Sequence, residues 1–264
     1  MRIVIAPDSF KGTLSAAAAA AAMAQGVRRV VPAADVAVFP MADGGEGTLE
    51  VLLAAQGGVR YEVDTWDPLG RPVRAAFGWL ASGAGRTAVV ELAAASGLVF
   101  LAEAERTPSA ALAASTYGTG ELIRAALDAG ADEVVLTLGG SATTDGGFGL
   151  LTALGATARA AGGRPLSGRD ARELGLVEHV DLAGLHPRFH HVVFRLASDV
   201  THPLCGPDGA ARVFGPQKGM DEAAIVRRDE ELARWAERLS AAARTAGLGR
   251  AAEDVRAVPG LGAA

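Results

Sequence analysis

Cysteine is nearly absent. Cys205 stands alone in 264 residues, which excludes an intramolecular disulfide and fits a reducing compartment. With no base in view beside it, Cys205 reads as a structural residue. There is no basic block: 25 basic and 30 acidic residues are intermingled at a net charge of −5, so no nucleic-acid or membrane partner is expected. No apolar run approaches the roughly 20 residues of a membrane span; Ala16 to Ala24 is the longest small-residue stretch. Met1 to Pro7 lacks the apolar core of a secretion signal and runs into Asp8, so a soluble cytoplasmic protein is expected. Histidines are few. His190 and His191 are adjacent on a predicted strand and would face opposite ways, and His179 and His186 lack ligand spacing, so no zinc site is expected. Aromatics amount to 5%, and together with the many alanines this suits helices packed closely on a sheet.

What the chain does have is length and glycine. With 264 residues, 50% of them hydrophobic, and 34 glycines, it can build one large or two moderate domains. The most informative stretch is Val134 to Leu154. It opens as a buried strand, breaks into Gly139, Gly140, Ser141, Thr143, Thr144, Asp145, Gly146 and Gly147, and resumes as a helix. Strand, glycine turn and helix start together suit an anion, because backbone N–H groups approach closely and the helix end is partly positive. Asp145 would then serve a divalent cation or acid–base chemistry. The alternative is a tight turn with Asp145 as helix cap. The turn matches neither the Walker nor the dinucleotide fingerprint.

Taken in order, Ile3–Ala6 and Asp35–Pro40 read as strands, with helices over Leu14–Val30 and up to Ala55. This alternation predicts a parallel, doubly wound sheet whose ligands lie beyond the strands' carboxyl ends. The loops PDSFKG and ADGGEGT occupy that position. The pattern changes near residue 61, the best candidate for a domain boundary. Tyr61–Asp64 and Val73–Leu80 form a predicted hairpin about a Pro/Gly turn, and Thr87–Leu92 a further strand. A helix is expected over Glu121–Ala129, a strand over His191–Ser198, a loop over Asp208–Gly219 and a long helix over Asp221–Ala243. Val258 to Ala264 reads like the middle of a glycine loop.

Several charged residues fall where chemistry is expected. Asp8 and Lys11 could orient a hydroxyl and neutralise a phosphate, or form an ordinary turn ion pair. Asp43 and Glu46, flanking Gly44 and Gly45, could share Mg²⁺ with a nucleotide or complement a helix dipole. Asp199 closes an apolar strand, a position suited to a general base or metal ligand, or to a turn ahead of Pro203. Lys218 could bind phosphate as a point charge or be a plain loop lysine.

Together the motifs closely resemble the bacterial glycerate kinase family, the type unrelated to P-loop kinases. The matching segments are APDSFKGTLSA (from Ala6), ADGGEGT (from Ala42), DPLGRPV (from Asp67), ELAAASGL (from Glu91), YGTGELI (from Tyr117), GGSATTDGG (from Gly139), DVTHPLCG (from Asp199) and VFGPQKG (from Val213). They follow the family's order across nearly the whole chain. The resemblance implies an α/β fold of two domains: a flavodoxin-like parallel-sheet domain including residues 1–60, and a second mixed α/β domain over 61–250, with the site between them. It implies phosphoryl transfer from ATP, with Mg²⁺, to D-glycerate, giving 2-phosphoglycerate. Within that frame Asp8, Lys11 and Asp199 are expected to be catalytic, and Gly139, Gly140, Ser141, Thr143 and Lys218 to bind the nucleotide. Ser9, Asp43, Gly44, Gly45 and Glu46 are expected to bind substrate and Asp145 the metal. Thr144, Thr107 and His202 stand where the family commonly has Asn, so amide donors are replaced. Family members continue beyond the point matching Ala264, and the continuation would add strands to the first domain. A non-catalytic fragment that binds nucleotide or a partner subunit, a kinase of another small hydroxy acid, and a homo-oligomer all remain open.

Overall fold

The computed structural model describes residues 1–81, 85–248, 255–256 and 258–263. The expected domain end at residue 250 and the final Ala264 lie outside them. Elements follow in the order β1 (Arg2–Ile5), α1 (Ala16–Val30), β2 (Asp35–Val38), α2 (Thr48–Gln56), β3 (Gly58–Trp66), β4 (Pro72–Leu80), β5 (Thr87–Glu91), α3 (Ala93–Ser96) and α4 (Pro108–Ala113). Then come α5 (Tyr117–Asp128), β6 (Glu133–Thr137), α6 (Phe148–Ala153), β7 (Thr157–Arg159), β8 (Pro165–Leu166), β9 (His179–Asp181), β10 (Val193–Ala197), α7 (Ala210–Phe214) and α8 (Glu222–Thr245). The chain is an α/β fold. Among the described residues, no helix is long and apolar enough to cross a membrane.

β1 and β2 pair in parallel, in register from Arg2↔Asp35 to Ile5↔Val38. α1 lies against them because its buried residues, Ala16, Ala19, Ala20 and Ala24, have side chains small enough for close approach. Ser15 caps it by accepting from the Ala18 N–H at 3.2 Å, and Arg28 and Arg29 complement the dipole of the last turn. Ile5, Ala20 and Ala24 form a small core there.

The larger sheet has the order β10-β6-β5-β4-β3. β10, β6 and β5 are parallel, whereas β4 and β3 form the antiparallel hairpin. Asp67 shapes the hairpin turn, its Oδ1 accepting from the Leu69 and Arg71 N–H groups at 2.9 Å each. The carboxyl ends of β5, β6 and β10 therefore share one edge, where they deliver Glu91, Thr137 and Ala197 in register. α2 packs on this sheet: a Cβ at Gly78 would stand 2.3 Å from Leu49 Cδ1 and 3.3 Å from Leu53 Cδ2. A smaller antiparallel sheet, β8-β7-β9, lies beyond α6.

Three expectations are corrected. α5 begins at Tyr117 rather than Glu121, because Gly118 and Gly120 are contact points within the helix: a Cβ would meet the Trp66 and Leu150 carbonyl oxygens at 2.0 and 2.6 Å. His190 ends a 3₁₀ turn over Pro187–His190 and is not on a strand. Pro187 starts that turn, and the His186 ring nitrogen caps it by accepting from the Arg188 N–H at 3.2 Å. Asp208–Gly219 contains α7 and a 3₁₀ turn over Pro216–Lys218 rather than an open loop. Burial of Ala210 and Ala211 beside α8 stabilises helix where local sequence alone reads as loop. α8 itself follows expectation, with Asp221 capping the Ala224 N–H at 2.8 Å.

Candidate active site

Lys11, beyond the end of β1, donates to Asp43 Oδ2 at 2.6 Å. Parallel pairing of β1 with β2 places their following loops side by side, which joins residues 32 positions apart. Asp43 Oδ1 accepts from the Gly45 N–H at 2.8 Å, and Asp8 Oδ1 from the Ser9 N–H at 2.6 Å. The hydrogen bond from Lys11, with help from Gly45, holds the Asp43 carboxyl below its ordinary range. Lys11 is pushed up, first by Asp43 and further by the charges of Asp8 and Asp199. Asp199, exposed beyond β10, thus belongs to the same electrostatic group.

Glycines bring a third loop in. Gly44 has φ +86°, and a Cβ there would lie 3.0 Å from the Ala197 carbonyl oxygen. The Gly44 carbonyl accepts from the Gly139 N–H at 3.0 Å, and a Cβ on Gly139 would stand 2.6 Å from Gly45 Cα. Asp8, Ser9, Lys11 and Glu46 line a cleft of about 720 Å³, a size suited to a small-molecule ligand.

The same cleft reaches Glu91, which sequence reasoning did not single out as a site residue. Its Oε1 accepts from the Leu49 N–H at 2.9 Å, with the Gly47 and Thr48 amides also favouring the anion. Burial outweighs them and pushes its carboxyl up to about 7. Its sequence signal is an acid closing the apolar strand AVVE, the same placement that marks Asp199 as a candidate.

The Gly139–Gly147 loop is built differently. Gly140 is its exposed point, whereas Ser141 to Asp145 are buried. Asp145 accepts from the Thr116 N–H and Oγ1 at 2.9 Å each, and from the Gly147 and Gly149 N–H groups at 3.1 Å each. Its carboxylate therefore organises the start of α6 and is not brought to the cleft. Lys218 is 2% exposed. Its Nζ donates to Ser141 Oγ at 3.0 Å, the Thr143 carbonyl at 2.5 Å and Thr144 Oγ1 at 3.3 Å. Burial pushes its ammonium down to about 7, opposed by Asp145. Trp235 closes the loop from α8, donating Nε1 to the Gly146 carbonyl at 2.9 Å and meeting Phe148 edge-on.

Among the described residues, no group of three or more His, Cys, Asp or Glu is placed to hold a metal ion. Mg²⁺ commonly takes one or two carboxylates and completes its shell with water and phosphate. Asp8, Asp199 and Glu46 supply hard oxygen donors of that kind, whereas Asp145 is already engaged by four donors. Of the residues standing in place of Asn, Thr107 caps α4, Thr144 accepts from Lys218, and His202 Nδ1 lies 3.1 Å from the Asp208 carbonyl.

The sequence profile of the glycerate kinase family matches residues 3–264. The chain belongs to this family. It is 45% identical over 264 residues to the glycerate 2-kinase of Escherichia coli (strain K12), covering all of this chain and 66% of that protein. It is 49% identical over 219 residues to a glycerate kinase of Bacillus subtilis (strain 168), covering 83% of this chain and 56% of the relative. A crystal structure from Salmonella typhimurium LT2, assigned as glycerate kinase 2, superposes with a TM-score of 0.82 at 42% identity, over 99% of this chain and 66% of the other. The chain spans 56% to 66% of the length of these family members.

Proposed function

We propose that this protein is a kinase that transfers the γ-phosphoryl group of ATP to D-glycerate, with Mg²⁺, giving 2-phosphoglycerate and ADP. The observation that carries the reading is the grouping of Asp43, Asp8 and Asp199 about Lys11, with Lys11 and Asp8 lining the cleft. Phosphoryl transfer requires an in-line hydroxyl, an acceptor for its proton and positive charge beside the phosphate. Asp199 or Asp8 orients the glycerate hydroxyl and takes its proton as the new O–P bond forms and the bond to the β-phosphate oxygen breaks. Lys11, kept protonated by its acidic neighbours, faces the phosphate charge. Glu46, with whichever of that aspartate pair is not so engaged, would hold Mg²⁺, which when bound spreads the phosphate charge. Ser9, Asp43, Gly44 and Gly45 shape the acceptor side. Gly139 and Gly140 offer backbone to the nucleotide, with Ser141, Thr143 and Lys218 fixing the loop behind them. The reading carries with it two domains, residues 1–60 and 61–250, and a cytoplasmic location.

ADP release from the purified chain with ATP, Mg²⁺ and D-glycerate tests this directly. Glycerate-dependent turnover is expected, falling about 100-fold or more in Asp199→Ala. Turnover unchanged in that variant would remove Asp199 from the chemistry, and no turnover in the parent chain would overturn the kinase reading. The two-stranded β1–β2 sheet, with Val4 62% and Phe39 55% exposed, favours a second reading, a fragment that binds nucleotide or a partner subunit without turning over. A nucleotide-induced thermal shift in the absence of turnover would support it.

A further inference from the structure

Besides Asp8 and Lys11 the cleft is lined by residues of β4 and α3 that have no assigned role. Resting on the kinase reading, we infer that Arg74 on β4 is the group that binds the carboxylate of the acceptor acid. Among the described residues, three cations line the cleft: Lys11, Arg60 and Arg74. Four acids line it too, Asp8, Glu46, Glu50 and Glu91. A small carboxylate is repelled there unless one cation is placed to receive it.

Lys11 is committed at 2.6 Å to Asp43 and already sits among Asp8 and Asp199. Arg60 pairs with Glu50 at 2.5 Å and stands in register with Gly78. That is the row on which α2 rests through Leu49 and Leu53. Arg74 lies on the same sheet face, since positions 74, 76 and 78 alternate with their neighbours along β4, but four residues away from that contact. Around it the cleft wall is Ala75, Ala76, Ala93 and Ala94, side chains too short to cover the guanidinium. Phe100 lines the cleft as well.

Arg74 is 69% exposed and pairs with Glu62 at 2.6 Å, with Asp64 opposite it in register. Neither acid lines the cleft, whereas Arg74 does. An exposed pair of this kind is weakly held and exchanges readily. A bound carboxylate can therefore replace Glu62 through the two parallel N–H donors that arginine offers and lysine does not. Glu62 then competes with the substrate for Arg74.

Titration calorimetry on the full 264-residue chain, with D-glycerate and its uncharged amide D-glyceramide as probes, tests this. Arg74→Ala is expected to weaken D-glycerate binding about tenfold to 100-fold, leaving D-glyceramide and MgATP binding unchanged. Arg74→Lys should fall between, and Arg60→Ala should bind D-glycerate as the parent does. Glu62→Gln should tighten D-glycerate binding several-fold, a gain that loss of local structure would not produce. Equal D-glycerate affinity in the parent and Arg74→Ala overturns the inference and leaves the kinase reading intact. Weakening of glycerate and glyceramide alike also overturns it, because the effect would not be on the carboxylate. A parent chain that binds MgATP but no glycerate refutes the subsite, and one that binds neither refutes the kinase reading with it.

Discussion

Two glycine-rich loops meet in this molecule and use their polar groups in opposite ways. In Ala42–Thr48 the side chains of Asp43 and Glu46 are exposed, and the link from this loop to Lys11 lies on the surface. In Gly139–Gly147 the polar groups turn inward: Asp145 receives four donors and Lys218 reaches three acceptors. Composition hardly distinguishes them, since each combines glycines, an acid and threonine. What differs is cover. The second loop lies beneath α8, whose Trp235 and neighbours exclude water, so its charges must be satisfied by protein. The first lies at a cleft edge where solvent or a ligand can satisfy them. The inward loop is held rigid by its own partners, and the outward loop leaves its charges open to solvent or a ligand.

That contrast can be broken most forcefully at Asp145. Asp145→Ala removes the acceptor of four donors, three of them buried, and leaves those three without it. The expected loss is on the order of 3–5 kcal/mol. In urea unfolding the midpoint should fall with the slope unchanged. A variant as stable as the parent would mean that water reaches the loop and that it is no more closed than Ala42–Thr48.

The next effect separates the loops by pH. Glu91 supports the start of α2 behind the outward loop, and its folded pKa of about 7 exceeds its ordinary 4.5. The folded state therefore retains a proton that the unfolded chain loses, and stability from this group falls as pH rises from about 4.5 to 7. Lys218, behind the inward loop, is at about 7 against an ordinary 10.5. Here the unfolded chain holds the extra proton, so stability rises as pH climbs from about 7 to 10.5. The two together predict a shallow minimum near neutrality, with limbs on the order of 1–3 kcal/mol. Glu91→Gln should flatten only the acid limb and Lys218→Met only the alkaline one, read as urea midpoints at about pH 5, 7 and 9. If either substitution flattens both limbs, the loops are not electrostatically separate.

How much of this was legible beforehand depends on the range of the interaction. α1, the hairpin turn at Asp67 and α8 are local in origin and the sequence pattern marks each of them, although it counts the capping residues Ser15 and Asp221 within the helices. The start of α5 was not legible, because Gly118 and Gly120 act through contacts with Trp66 and Leu150 that no local pattern encodes. α7 likewise depends on burial beside α8. At the site, Asp8, Lys11, Asp43 and Asp199 could be picked out singly from their places after strands. That Lys11 pairs with Asp43 follows only from the parallel pairing of β1 with β2. Lys218 reads equally as a phosphate-binding or a plain loop lysine until its burial against Ser141, Thr143 and Thr144 is seen. Glu91 passes as the end of a strand until α2 is laid across it.

The smallest expected stability effect falls on a pair with a large expected functional one. The side chain of Lys11 is 63% exposed and that of Asp43 33%, so solvent screens their attraction and the pair adds no more than about 1 kcal/mol to folding. Lys11→Met keeps most of the aliphatic stem and should unfold within about 0.5 kcal/mol of the parent. If Lys11 faces the transferring phosphate, the same substitution should lower glycerate-dependent ADP release by about 100-fold or more. The ratio of the two effects is the sharpest form of the comparison, because a residue that serves the fold loses both together. A Lys11→Met chain that unfolds easily but turns over normally would make the outward loop structural, like the one it rests against.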